Sequence, residues 1–422
     1  MAATNQSAHL TLSQAYVGLP EALCYSDGGD MRILLVGNHV LDRRKHAVRF
    51  YGMLSKHLRA RGHLVEGIHP GAALERTRLR VLSPWLASME RNALFPLQLR
   101  GAAQGFDLVH ICHQEDALYV RHTAGVPATI TCHDVLDIAA AEGKIPEYRG
   151  SNAFRARHRK TLRYLEQATH VVCSSWKTSR ELGSMLELDR QRRLVIPAAV
   201  EVDSSAISAE RIQEVRRNLG LAAGERYLLH VGGNQWYRNR PGLLRIFRMV
   251  RQRTGSGLRL VIAGAPLTED MRQFAAANLP KGSLIEVANP DDSKLWAIYA
   301  GAVALLLPSV YERSGWRIAE AQSCGCPVIT SNRAPMTETA GPAALYIDPR
   351  DEAAAAETIA SKLDGLSSLS NAGLENAKRF HADAVFSAYE SFFLGVLRTR
   401  RVTDVLIAPN EAESVSTQSR EG

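Results

Sequence analysis

The sequence contains no run of about 18 apolar residues, the length that a transmembrane helix requires, so no membrane span is predicted. Its first residues, MAATNQSAHLTLSQ, have neither a basic start nor an apolar core, and they do not predict a signal peptide. Aromatic residues make up only 6% of the chain and are not interleaved with basic ones, which argues against a nucleic-acid partner. The motif GxGxxG is also absent, so a nicotinamide dehydrogenase is poorly supported.

Cysteine is scarce, and its spacing shows no metal-ligand pattern beyond the tripeptide CGC. Most of the cysteines lie in apolar, strand-like runs, where a thiol usually acts as a small buried hydrophobe. We interpret them as buried, reduced thiols of a cytoplasmic protein. The six are Cys24, Cys112, Cys132, Cys173, Cys324 and Cys326.

Positive charge is concentrated in the first half of the chain. The whole sequence carries a net charge of +8, but residues 31–200 hold 26 Lys and Arg against 15 Asp and Glu. The remainder is therefore slightly acidic. This imbalance predicts an anionic partner for the first half, such as a phosphate group or an acidic lipid surface.

The 422 residues, 45% hydrophobic and 22% charged, suffice for two ordinary soluble domains. Short Val/Ile/Leu runs alternate with longer helical patterns, which is typical of buried parallel strands. The alternation restarts after the polar segment VEVDSSAISAE, so we predict two doubly wound α/β domains at 31–200 and 201–379, with disordered tails at 1–30 and 402–422. The strand runs are MRILLVG, LVEGIHP, FDLVHICH, ATITCHD, HVVCSS and RLVIPA, then RYLLHVGG, LRLVIAG, SLIEVAN, VALLLPS and PVITSN.

Ligands of such sheets bind beyond the carboxyl ends of the strands, so the strand-end loops are the candidate sites. Gly37 ends the first strand, although a single glycine is a weak phosphate-loop signal. His133 and Asp134 end a later strand, where a structural histidine is as good an interpretation as a functional one. In HVGGNQWYRNR, Gly233 is followed by two guanidinium groups suited to phosphate; a glycine turn with solvated arginines is the alternative.

The stretch YERSGWRIAE places Glu312 and Glu320 eight positions apart, on either side of Gly315. The first glutamate falls in a strand-end loop and the second in the first turns of a predicted helix. Both carboxylates could face a ligand held at the helix N-terminus. Two solvated surface acids are the simpler alternative for glutamates in general.

Together these loops resemble the retaining nucleotide-sugar glycosyltransferases of family 4, which have the two-domain GT-B fold. The resemblance covers roughly residues 31–400 and is most specific in LWAIYAGAVALLLPSVYERSGWRIAEAQSCGCPVITSNRAPMTETAGPAALYIDP. HVGGNQWYRNR is similar to the phosphate loop of that family. RFHADAVFSAYESFFLGVL is similar to its last helix, so the resemblance implies a helix at 380–400 that packs on the first domain.

The resemblance also implies roles for residues of the second domain. Glu320 would accept hydrogen bonds from the donor ribose, and Glu312 would lie beside the donor sugar. The main-chain amides of Gly315, Trp316 and Arg317 would hold sugar or phosphate oxygens. Arg238, in place of the usual lysine, would neutralise the departing diphosphate, with Arg240 as a helper.

On the first domain, His133 corresponds to the acceptor-side histidine of the family, and Gly37 to the glycine that lets acceptor and phosphate approach. His133, Arg238 and Glu312 are therefore the predicted catalytic residues. The chain departs from the family pattern at three positions. Gly233 stands where an arginine is common, and Arg313 and Ser314 replace a glycine and an aromatic residue. We expect these changes to affect donor-sugar preference.

The implied activity is hexosyl transfer from a nucleoside-diphosphate sugar to an acceptor hydroxyl with retention of configuration. The acceptor would be a glycan, a glycolipid or a small molecule, in polysaccharide or glycoconjugate synthesis. Because no D-x-D motif occurs, we expect metal-independent chemistry and no resident cofactor. The alternatives are a non-catalytic GT-B subunit and an epimerase or phosphorylase of the same architecture.

The segment Leu74 to Arg100 combines Arg76, Arg78, Arg80 and Arg91 with large apolar residues. Such a segment can lie in a membrane interface and present a lipid-linked acceptor, which predicts a peripheral protein at the inner membrane face. An acceptor lid packed on its own domain is the alternative, because Pro84 and Pro96 interrupt any long helix.

Overall fold

The structure is a computed structural model that describes residues 29–39, 45–71, 88–145, 148, 151–255 and 257–407. These residues form two parallel sheets of six strands each, flanked by helices. The central strands are buried on both faces, which explains why their sequences are nearly continuous apolar runs rather than alternating ones.

The first domain contains a sheet in the order β2-β1-β3-β4-β5-β6, in which every pair is parallel. The strand order reverses between β1 and β3. The loops that follow these two strands therefore run in opposite directions and leave a crevice at their carboxyl ends. The strands are β1 (Arg32–Val36), β2 (Leu64–Ile68), β3 (Leu108–Ile111), β4 (Ala128–Cys132), β5 (His170–Cys173) and β6 (Arg193–Val195).

The helices of the first domain cover both faces of this sheet. A π-helical turn, Glu90–Leu94, leads into the second helix, and a 3₁₀ segment, Gln114–His122, follows β3. The α-helices are α1 (Lys45–Ala60), α2 (Phe95–Ala103), α3 (Leu136–Ala141), α4 (Asn152–Leu165) and α5 (Trp176–Gly183).

The second domain repeats the design with the order β12-β11-β10-β7-β8-β9, again all parallel. Its order reverses between β7 and β10. The strands are β7 (Tyr227–Gly232), β8 (Arg259–Gly264), β9 (Leu284–Ala288), β10 (Ala304–Leu307), β11 (Val328–Ser331) and β12 (Leu345–Ile347). The helices are α6 (Ala209–Asn218), α7 (Arg240–Thr254), α8 (Glu269–Asn278), α9 (Asp292–Ala300), α10 (Trp316–Ser323), α11 (Met336–Ala340), α12 (Glu352–Lys362) and α13 (Leu369–Ala377).

The last helix, α14 (Ala382–Ile407), returns to the first domain, as the resemblance implied. Phe386, Tyr389 and Phe393 of this helix are buried in one cluster with Phe50 and Leu54 of α1. The helix extends seven residues past the predicted end at 400, into the start of the predicted tail. Residues 1–28 and 408–422 lie outside the described part of the chain, so the tail predictions there remain predictions.

A second contact joins the domains beside the cleft. Leu136, Ala139 and Ile145 of the first domain form one apolar cluster with Tyr237 and Tyr311 of the second. The cleft is therefore closed along one side by packed side chains.

All eleven predicted strands are present. The strand that the sequence analysis missed is β12, which has only three residues, two of them half-buried, at the edge of the sheet. Five of the six cysteines are buried and unpaired, and Cys24 lies outside the described residues. None of the described helices is long and apolar enough to cross a membrane.

Candidate active site in the interdomain cleft

The site lies where the order of the second sheet reverses. The loop after β7 carries Arg238, in the short 3₁₀ turn Trp236–Arg238, and the loop after β10 carries Glu312. Because β7 and β10 are neighbours in the sheet, their carboxyl-end loops face the same crevice. Topology thus brings together two residues that are 74 positions apart in the sequence.

Two cavities adjoin at this point. The smaller, of about 250 Å³, lies between the domains and is lined by His133 and Asp134 from one side and Glu312 and Arg313 from the other. The larger, of about 1370 Å³, extends along the ends of β7 and β8. Five residues line both cavities: Arg49, Met53, Arg238, Trp316 and Arg317.

Arg238 and Glu312 form an ion pair at the junction of the cavities. Arg238 Nη1 donates to Glu312 Oε1, which also accepts a hydrogen bond of 3.0 Å from the Ser309 hydroxyl. The side chain of Glu312 is only 4% exposed. Arg238 Nε is buried and has no hydrogen-bond partner among the described residues. Because Arg238 lines both cavities, its guanidinium can contact a further anion without leaving its carboxylate.

Glu320 is completely buried on the second turn of α10. Its Oε2 accepts hydrogen bonds from the Tyr299 hydroxyl at 3.0 Å and from Arg317 Nη1 at 2.6 Å. Its Oε1 has no partner within the described part of the chain. Buried polar atoms are normally paired, so this oxygen is suited to a hydroxyl donor supplied by a ligand. Arg317 lies between Glu320 and the larger cavity, which it lines.

The turn before α10 requires glycine at position 315. Gly315 has φ of +69°, and an added Cβ would approach the Thr339 hydroxyl oxygen to 2.5 Å. The next residue, Trp316, has its ring between two guanidinium groups: Arg317 at 4.5 Å and Arg49 of the first domain at 5.1 Å. This stack holds the N-terminus of α10 against the opposite domain.

His133 is buried at the end of β4 and lines the smaller cavity. Its Nε2 lies 3.0 Å from the carbonyl oxygen of Cys112, so in the neutral ring the proton is on Nε2. Its main-chain N–H donates to Gln114 Oε1 at 3.0 Å, and the edge of Phe50 packs against the ring. The imidazole is thus fixed in orientation on the first-domain wall of the cleft.

Arg240 does not lie in either cavity, contrary to its predicted contact with the donor. Its guanidinium is buried and donates to the carbonyl oxygens of Gly232 and Ala265, each at 2.8 Å, and to Asn234 Oδ1 at 2.6 Å. Burial and the nearby charge of Arg238 lower the pKa of Arg240 to about 10. Arg240 positions the strand-end loops from behind.

The two predicted loop glycines differ in their surroundings. Gly233 lines the larger cavity. At Gly37 the space that a side chain would fill is taken by the imidazole of His69, whose Nδ1 lies 3.2 Å from the carbonyl oxygen of Asn38. The close approach that Gly37 permits in this structure is therefore that of a side chain of the same domain.

Three residues that contribute to the site were not predicted from the sequence. Arg49 gives no local signal, since α1 carries other basic residues on its solvent side. Gly264 ends β8 with φ of +125°, and a Cβ there would overlap the carbonyl oxygen of Gly232; the strand-end sequence LVIAG could have indicated it. Arg313, which the sequence marks only as a departure from the family pattern, bridges the domains. Its Nη1 lies 3.3 Å from Asp134 Oδ2 and its Nη2 lies 3.7 Å from Asp137 Oδ2.

Comparison with known proteins agrees with this architecture. Residues 211–379 match the family model of glycosyl transferases group 1, and residues 47–204 match that of glycosyltransferase family 4. In structure, the chain is similar to the Anabaena protein HepE in complex with UDP and glucose. The TM-score is 0.64 at 15% identity, with 86% of this chain and 99% of that chain covered. The two facing Rossmann-like domains and the returning last helix define a protein of the GT-B fold, which confirms the predicted fold class.

The two family matches together cover most of the chain, and the protein belongs to the group 1 glycosyltransferases. Among curated relatives, it is 27% identical over 258 residues to the O-antigen chain mannosyltransferase B of Escherichia coli, with 60% of this chain and 66% of the relative covered. It is 28% identical over 293 residues to the D-inositol 3-phosphate glycosyltransferase of Acidothermus cellulolyticus, with 66% and 64% covered. The chain therefore spans slightly less than two thirds of the length of these relatives.

Proposed function

We propose that the protein transfers a hexosyl group from a nucleoside-diphosphate sugar to an acceptor hydroxyl with retention of configuration. The observation that carries this proposal is the meeting of Arg238 and Glu312 at two adjoining cavities, with an unpaired oxygen of Glu320 buried beside Arg317, which lines both. Such a donor needs three groups in its binding site. They are a cation for the diphosphate, a carboxylate beside the sugar, and an oxygen that accepts hydrogen bonds from the ribose hydroxyls.

In the proposed complex the nucleotide occupies the larger cavity. The ribose hydroxyls would reach Glu320 Oε1 once Arg317 shifts from its place in front of that carboxylate. The diphosphate would lie against the loop at Gly233, within reach of Arg238. There the guanidinium would stabilise the negative charge that develops as the diphosphate departs.

The acceptor would enter the smaller cavity from the first domain, beside His133. Its oxygen forms the new bond to the anomeric carbon on the face that the diphosphate leaves, and its proton passes to the departing phosphate oxygen. The two carboxylates that line this cavity, Asp134 and Glu312, are both ion-paired to arginines. A carboxylate held in that way is a poor covalent nucleophile. This favours a single front-face displacement over a double displacement through a glycosyl-enzyme intermediate.

We propose that this chemistry needs neither a bound metal nor a resident cofactor, because Arg238 can neutralise the leaving diphosphate itself. The test is a screen of nucleotide sugars by thermal shift, since the correct donor stabilises the folded state by mass action. Assays of nucleotide release and product configuration should then follow, with and without a chelator. Nucleotide binding without hydrolysis or transfer would instead favour a non-catalytic GT-B subunit.

Contact with an anionic membrane at the inner face, and a role in polysaccharide or glycolipid synthesis, are finer parts of the same proposal. Of the segment Leu74 to Arg100, residues 74–87 lie outside the described residues. In the described part, Leu94 and Leu97 are 45% and 69% exposed. Exposed leucines beside basic residues are compatible with an interfacial surface.

A further inference from the structure

A third cavity, of about 780 Å³, lies on the first domain between the 3₁₀ segment Gln114–His122, helix α4 and the π-helical turn Glu90–Leu94. It shares no lining residue with the two cavities of the cleft. Its volume is within the range of about 300–1,000 Å³ that small-molecule sites have. We call it the basic groove.

The lining of the basic groove is strongly cationic. It contains the side chains of Arg91, Arg121, Arg157 and Lys160 and a single carboxylate, Glu115. Such an excess concentrates a positive potential inside a concave surface, which attracts anions.

Two of these cations remain available for a ligand. Arg91 is 3.2 Å from Asp116 Oδ1, and Arg157 is 3.7 Å from Glu115 Oε2. Arg121 and Lys160 have no ion-pair partner in the described part of the chain; Arg121 lies over the ring of Tyr164, with 5.8 Å to the ring centre. The field also acts on the neighbouring histidine: burial and the charges of Arg121 and Arg100 lower the pKa of His122.

The groove adjoins the acceptor side of the cleft. Glu115, which supplies the carboxylate, follows β3. Its main-chain N–H donates a hydrogen bond to His113 Nδ1 at 3.2 Å. The ring of His113 is in turn 5.4 Å from that of His133, which lines the smaller cavity. The completely buried His113 therefore separates the groove from the smaller cavity, and the two are distinct sites.

We propose that the basic groove binds the phosphate or diphosphate group of a ligand that docks on the first domain outside the cleft. This anion site does not depend on the proposed transferase function. Guanidinium and ammonium groups around one concave surface are the groups that recognise phosphate oxygens. The phosphate could belong to a soluble sugar phosphate or to a lipid headgroup.

The test is calorimetric titration of the whole protein with inorganic pyrophosphate. To remove the donor phosphate site, the titration is carried out in an Arg238→Ala background. We expect the double substitution R121A/K160A to weaken pyrophosphate binding by about tenfold or more, since two charge-assisted contacts are lost. The matched control is R155A/R163A, which also removes two positive charges. Both residues lie on α4 at positions outside the groove.

The outcomes are distinct. Loss of all pyrophosphate binding in the Arg238→Ala background itself would overturn the groove, and so would binding there that R121A/K160A leaves unchanged. Equal weakening by the control pair would also overturn it, because general surface charge would then explain the binding. A groove that binds pyrophosphate in a protein inactive with every donor would support the anion site while the proposed transferase function fails.

A second arm identifies the source of the phosphate. Sedimentation with phosphatidylglycerol vesicles, compared with phosphatidylcholine vesicles, supports a lipid headgroup if R121A/K160A abolishes the binding and R155A/R163A does not. Pyrophosphate binding without vesicle binding supports a soluble phosphorylated ligand. In both cases binding should fall as salt is raised.

Discussion

At the scale of single residues, the ion pair of Arg238 and Glu312 couples the proposed catalytic role of Arg238 to the stability of the fold. We expect Arg238→Ala to lower turnover by about 10²-fold or more, because the departing diphosphate loses its cation. The same change leaves a buried carboxylate unpaired, which costs about 3 kcal/mol of folding stability. The measurement is turnover per folded molecule together with thermal unfolding.

Arg238→Lys is the control, since it keeps the charge. Full activity of Arg238→Ala per folded molecule would remove Arg238 from the phosphate site. Recovery of stability but not of turnover in the double variant R238A/E312Q would separate the proposed catalytic role of Arg238 from its effect on stability.

Glu320→Gln tests the predicted ribose contact. The amide retains the shape of the carboxylate but not its charge, so it accepts weaker hydrogen bonds and leaves the guanidinium of Arg317 without its counter-ion. We expect the affinity for the donor nucleotide to fall by about tenfold. Titration with the nucleoside diphosphate measures this directly, and an unchanged dissociation constant would contradict the assignment.

His133→Ala should lower turnover with little effect on nucleotide affinity, because His133 lies on the first-domain wall of the cleft. Its ring also donates to Cys112 and packs on Phe50, so a purely structural role predicts the opposite result. In that case thermal stability would fall while activity per folded molecule stayed normal. Steady-state kinetics and thermal unfolding of the same sample distinguish the two roles.

At the scale of secondary-structure elements, the site depends on how closely β7 and β8 approach at their carboxyl ends. Gly264 lies opposite Gly232 in the register, with φ of +125° and no room for a Cβ. We expect Gly264→Ala to destabilise the fold by more than about 1 kcal/mol and to weaken nucleotide binding. Chemical denaturation and nucleotide titration measure the two effects.

Gly257→Ala is the matched control for that prediction. Gly257 lies just before the same strand, and an added Cβ there meets nothing within 4 Å. We expect its stability to stay within about 0.5 kcal/mol of the parent. If both alanine variants behaved alike, the close approach of the two strand ends would not matter to the site.

At the scale of the whole molecule, Arg313 ties the two domains together across the cleft. The chain has an arginine where the family commonly has glycine, and its guanidinium reaches Asp134 and Asp137 of the opposite domain. We expect Arg313→Ala to favour open arrangements, which small-angle X-ray scattering would detect as a larger radius of gyration. Turnover should fall while nucleotide affinity is retained, because closure brings donor and acceptor together.

Arg180→Ala provides the comparison, since it also breaks a contact between the domains. Its pair with Glu338 is 2.6 Å long, but the arginine side chain is 63% exposed. Exposed ion pairs contribute little, so we expect no change in scattering. An Arg313→Ala protein as compact as the parent would show that the other contacts between the domains, the apolar cluster among them, suffice to keep the cleft closed.

The sequence by itself determined the architecture. Eleven strands could be predicted because strands buried on both faces must be continuous apolar runs, and the spacing of those runs predicts parallel crossovers. The sequence also predicted a glycine turn between Glu312 and Glu320. Gly315 marks that turn because few other residues adopt a left-handed backbone conformation.

Only the tertiary structure decided which charged groups face the cleft. Arg238 and Arg240 are two positions apart, yet one lines the cavities and the other lies behind the loop, since the turn at Asn239 sends their side chains to opposite sides. Arg49, Arg313 and the basic groove depend on contacts between segments far apart in the chain. Local sequence does not predict which distant segments come into contact, because strand order and domain packing alone bring them together.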